Sequence, residues 1–87
     1  MSVDVKKAVE LARGYLVDLL EVPASDILLE EVDRVGSYWD VTFSFPDRAP
    51  NLGRLLGGRT YKVVRLDAEE GGFDSVKIRS IAYDRSA

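Results

Sequence analysis

Tyr38-Trp39-Asp40-Val41-Thr42-Phe43-Ser44-Phe45 is the stretch that decides the fold. Trp39, Val41, Phe43 and Phe45 fall at every second position and point one way. Tyr38, Asp40, Thr42 and Ser44 point the other. A period of two with one apolar side marks a strand buried on one face. Such a face needs a cover, and the segment able to supply it lies upstream.

Val3 to Leu20 reads as that cover. At ~100° per residue, Leu11, Ala8, Tyr15, Leu19, Ala12, Val5, Leu16, Val9 and Leu20 fall on one arc. Lys6, Lys7, Glu10, Arg13 and Asp18 fall opposite. Ser2 or Asp4 is placed to cap the first turn, and Asp4 suits the positive end of the helix dipole. Pro23 ends the helix, because the residue before a proline is pushed out of helical geometry. Ala8 and Ala12 lie mid-arc, where small side chains allow close approach to a sheet. Gly14 falls on the polar face, where a glycine costs about 1 kcal/mol relative to alanine. That is either a tolerated cost or room for another molecule to approach.

Three more strands surround the deciding one. Ile27 to Val35 precedes it, with its alternation broken at Leu28-Leu29 and Glu30-Glu31, which predicts a bulge or an edge. Gly36-Ser37 joins the two as a tight turn with glycine first. Downstream, Arg59 to Ala68 is a third strand, Asp67 to Gly72 a turn, and Phe73 to Ala82 a fourth strand. The expected fold is α+β: one N-terminal helix packed on a four-stranded antiparallel meander sheet, with residues 1–87 as a single domain.

Composition narrows the function. The 87 residues hold no cysteine and no histidine. This removes disulfides, thiol nucleophiles, thiolate metal sites, the commonest general base and the commonest zinc ligand. The net charge of −3 disfavours general nucleic-acid binding. Residues 1–44 carry nine acids against four bases, while residues 45–87 carry eight bases against six acids. No apolar run approaches the ~20 residues of a membrane span, and Met1 to Lys7 lacks the shape of a signal peptide. The expectation is a cytoplasmic protein that is not an enzyme and has no cofactor, no metal and no membrane or nucleic-acid partner.

Possible chemistry is sparse. Glu31 and Asp33 share a strand side if no bulge intervenes, but a solvated edge explains them as well as a carboxylate pair does. Asp67 to Gly71 lacks the spacing of a calcium loop. Gly53, Gly57 and Gly58, with Arg54 and Arg59, lack the phosphate-loop pattern and a helix clearly starting after them. The serines have no base to activate them. Tyr38, Trp39, Tyr61 and Phe73 could stack bases beside Lys62 and Arg65, yet Trp39 belongs to the apolar stripe.

The run Tyr61-Lys62-Val63-Val64-Arg65-Leu66-Asp67-Ala68-Glu69-Glu70-Gly71, preceded by Gly36-x-x-Trp39-x-Val41-x-Phe43, resembles the PepSY-type pattern. It is also similar to the broader cystatin-like arrangement of one helix across a meander sheet. Small bacterial immunity-type proteins share a similar helix-then-strand plan. The usual threonine-glycine of the PepSY turn is Glu70-Gly71 here, and Asp33-Arg34-Val35-Gly36 lacks the glutamine-valine-glycine pattern of protease-inhibiting cystatins. No inhibitory residue carries over. The resemblance implies a non-catalytic domain working by contact with a protein partner, immunity-like or regulatory. The alternative is a small-ligand binder using the gap between helix and sheet.

The connection from Pro46 to Gly58 is the expected contact loop, since loops beyond ~12 residues are uncommon unless functional or disordered. Leu52, Leu55 and Leu56 have the spacing of one helical turn, flanked by Arg48, Arg54 and Arg59. They form either a satellite of the core or an apolar anchor with a basic rim for an acidic, apolar partner surface. The third strand carries Tyr61 and Val63 on one face and Val64 and Leu66 on the other. One helix covers one face, so self-association as a homodimer is a further expectation.

Overall fold

The computed structural model describes residues 2–46 and 58–78. A helix, α1 (Val5–Leu20), is followed by a short 3-10 turn (Ala24–Asp26) and four strands. These are β1 (Leu28–Val35), β2 (Tyr38–Pro46), β3 (Arg59–Asp67) and β4 (Phe73–Ile78). The sheet order is β1-β2-β3-β4 and every neighbouring pair is antiparallel, so the α+β meander is as the sequence predicts. Residues 79–82, read as the end of the fourth strand, lie outside the described residues.

The helix begins where a side chain can satisfy its free amides. Asp4 Oδ1 accepts from the Lys7 amide at 2.8 Å, so Asp4 rather than Ser2 is the cap. Glu21 ends the helix in a left-handed conformation, φ 55° and ψ 36°, with its amide donating to the Val17 carbonyl. The stop thus lies at Glu21, two residues before Pro23.

Ala8, Ala12 and Leu16 on α1 meet Val41, Phe43, Val64 and Leu66 on the sheet, all fully buried. The alanines set the close approach and Leu16 fills the space between. The predicted arc holds across its width, since Leu11 and Leu20 at its rims pack on the core, but it fails at the ends of the helix, where Val5 and Leu19 are about half exposed. Arg13, assigned to the polar face, folds inward instead. It donates from Nη1 to the Ile27 carbonyl at 2.9 Å and lies 5.3 Å from the Phe43 ring centroid. Its long stem lets a charged head reach a backbone acceptor at the core's edge.

The helix start is tied to the far end of the chain. Val3 donates to the Ala68 carbonyl at 2.8 Å, and Trp39 Nε1 donates to the Val3 carbonyl at 2.9 Å. Tyr15 donates its hydroxyl to the Gly71 carbonyl at 2.9 Å and packs on Phe73. Asp67 holds the turn before Gly71, accepting from the Glu70 amide with its carboxylate and from the Gly71 amide with its carbonyl. A turn is expected of that stretch, and its i→i+4 bond makes it an α-turn.

No helix among the described residues is long and apolar enough to cross a membrane.

Candidate functional site

Opposed residues of an antiparallel pair share a sheet face, so the register assigns every side chain. Trp39, Val41 and Phe43 share the helix side with Leu66, Val64 and Lys62. On the far side Tyr38, Asp40, Thr42 and Ser44 oppose Asp67, Arg65, Val63 and Tyr61. Tyr61 and Val63 therefore lie opposite to Val64 and Leu66, as the pattern of β3 requires. The four aromatics considered for base stacking are split: Tyr38 and Tyr61 take the far face, while Trp39 and Phe73 take the helix face.

No described element covers the far face, yet Thr42 and Ser44 are buried there. Two of the polar ties among its described residues fasten neighbouring strands. Arg65 holds Asp40 in a bidentate pair, Nε to Oδ1 at 2.7 Å and Nη2 to Oδ2 at 2.8 Å. The same guanidinium lies 5.0 Å from the Tyr38 ring centroid. The hydrogen bond that Arg65 donates to Asp40 raises its pKa above the ordinary value. Arginine is cationic through the neutral range in any case, and the stability tied to its raised pKa is present there and fades as pH climbs into strong alkali.

The second tie joins three strands. Ser44 on β2 donates to Glu30 Oε2 on β1 at 2.6 Å and accepts from Arg59 Nε on β3 at 3.0 Å. A hydroxyl bonded to a carboxylate resembles a nucleophile and its base. Here the serine is fully buried and the arginine occupies its acceptor side, so the arrangement fastens strands instead. Arg59 Nη2 is buried with no hydrogen-bond partner among the described residues.

Of the six residues predicted for partner contact, only Arg59 is described. It is half-buried and bonded to Ser44, on the sheet face at the start of β3. Arg48, Leu52, Arg54, Leu55 and Leu56 lie outside the described residues.

The outer strand β1 is the most open element of the sheet, with seven of its eight residues exposed. Leu28, Leu29 and Val35 are 52%, 44% and 44% exposed. Its ladder to β2 shifts between Leu29 and Glu31, so the broken alternation marks both a bulge and an edge. The bulge lies before Glu31 and leaves Glu31 and Asp33 on the same side, opposite Thr42 and Asp40. Arg34 turns to the helix side, 5.5 Å from the Trp39 ring centroid, and its Nε donates to the Gly36 carbonyl. Asp33 has no hydrogen bond or ion pair among the described residues.

The sequence reading missed the tie through Glu30, Ser44 and Arg59. The broken alternation at Glu30 was its signal, because a bulged residue escapes the two-face rule. Protein-family models, curated proteins and solved structures were compared with the chain and none matches, so the PepSY-like and cystatin-like resemblance identifies no family.

Proposed function

We propose that the chain is a non-catalytic protein-interaction module, of an immunity-like or regulatory kind. The observation that carries this reading is the contrast between its closed interior and its open outer strand. Ala8, Ala12 and Leu16 meet Val41, Phe43, Val64 and Leu66 with no exposed surface, so the helix–sheet gap is filled along that line. A ligand seated there would have to displace fully buried side chains, each worth ~1.5–3 kcal/mol of burial. β1, by contrast, presents backbone and three exposed aliphatic side chains to solvent. An exposed edge strand is a ready template for pairing with an extended segment of another chain.

The acid–base inventory favours the same reading. The Ser44–Glu30 pair is consumed in holding strands together, and the chain has no histidine or cysteine to replace it. Native mass spectrometry of the chain purified gently from its own cells tests the proposal. A complex of fixed stoichiometry with a second protein is the expected result. The chain alone, carrying a small organic molecule, would replace this reading with the ligand-binding one.

A further inference from the structure

We infer that the outer edge of β1 receives an extended segment of a partner protein whose alternate residues are lysine or arginine. This inference rests on the interaction reading above and names the partner's chemistry. The regular part of the edge is Glu31 to Val35, beyond the bulge, where pairing with β2 proceeds without a shift. Strand addition there supplies main-chain hydrogen bonds irrespective of sequence, so side chains decide which strand is accepted.

Two side chains on one face set that choice. Glu31 and Asp33 stand on the far face, two positions apart. Asp33 lies directly opposite Asp40, and Asp40 is claimed by Arg65 on its other side. The row running inward from the edge is therefore acid, acid, base. A cation placed outside Asp33 completes it, and an anion placed there extends the repulsion. Opposite charges across a strand pair contribute ~0.2–1 kcal/mol, and like charges directly opposed destabilise.

The same geometry rejects a second copy of this chain. In a two-fold pairing of β1 with β1, opposed residues again share a face. The register centred on Asp33 sets Asp33 against itself, and the register centred on Val32 sets Glu31 against Asp33. Moving the centre to Arg34 opposes two arginines and leaves little of the strand paired. The accepted strand is thus basic on one face. Its other face meets the side of Val32 and Arg34, where an apolar residue packs on Val32 and on the exposed stem of the edge.

The probe is a capped heptapeptide of alternating lysine and valine, titrated into the full ¹⁵N-labelled chain and followed by amide shifts and hydrogen exchange. Shifts and slowed exchange over residues 31–35 are expected, weakening as salt is added. Glu31→Gln with Asp33→Asn should raise the dissociation constant about tenfold, the equivalent of ~1.4 kcal/mol. A glutamate–valine peptide should not bind. Equal response to the two peptides, an unchanged constant in the folded double variant, or no binding at millimolar peptide overturns the inference. Shifts confined to another surface overturn the edge assignment while leaving the interaction reading standing. The reading itself falls only on the native-complex experiment.

Discussion

Gly71 adopts φ +78°, and a Cβ there would stand 2.7 Å from Leu11 Cδ1. Gly71→Ala should lose about 1–2 kcal/mol from the left-handed backbone alone, with displacement of Leu11 added. Gly14 is the opposite case: its Cβ position meets nothing within 4 Å on an exposed helix surface. Gly14→Ala should gain roughly 0.5–1 kcal/mol. Urea unfolding of both variants checks the pair, and a destabilised Gly14→Ala would mean that the open space is used by something not yet found. Leu16 is fully buried between helix and sheet, so Leu16→Ala should lose ~2–5 kcal/mol in the same measurement. A near-neutral result would mean that the helix does not pack there.

Each element was legible in proportion to how cleanly its pattern repeats. β2 alternates without a break and was read to within one residue, as Tyr38–Phe45 against Tyr38–Pro46. The helix arc was right where it faces the sheet and wrong at Arg13. Periodicity assigns a direction to a Cβ, whereas a long side chain with a terminal donor chooses its own end point. Ser2 and Asp4 competed for the cap on composition alone, and the Asp4 contact to the Lys7 amide decides between them. Asp4→Ala should therefore lose ~1 kcal/mol of stability while Ser2→Ala stays near neutral. Thermal unfolding of the two variants would show the difference, and an equal effect would place the helix start elsewhere. β1 was the least regular segment, and its bulge hid the contact between Glu30 and Ser44. The broken alternation marks the bulge, but no local pattern says which residue fourteen positions away Glu30 meets.

At the scale of the molecule, the fold was readable because one apolar stripe and one apolar arc have a single economical way to meet. The candidate site was not, because an edge is defined by which strands fail to have neighbours, and strand order is a property of the assembled sheet. The acidic first half of the sequence acquires a meaning only once β1 is seen to be outermost. Those acids should also keep copies of the protein apart. Glu31→Gln with Asp33→Asn removes the repulsion while keeping the exposed Leu28, Leu29 and Val35. Sedimentation velocity should then show concentration-dependent association in the variant beyond that of the parent chain. Identical profiles would mean that the bulge, not the charge, protects the edge.

The ties from Val3 to Ala68 and from Tyr15 to Gly71 carry one more implication, for the chain as it is being made. The helix leaves the ribosome before the sheet, and its docking points on the β3–β4 turn emerge some fifty residues later. At ~5–20 residues per second that interval is on the order of 3–10 s. Through it Leu11 and Tyr15 lack the turn they rest on, Leu16 has only the β1–β2 half of its sheet, and the helix, at sixteen residues, is close to the length at which isolated helices are marginal. Complete docking therefore awaits the last hairpin, and a nascent chain stalled before Gly71 displays a half-covered apolar stripe of the kind that chaperones hold.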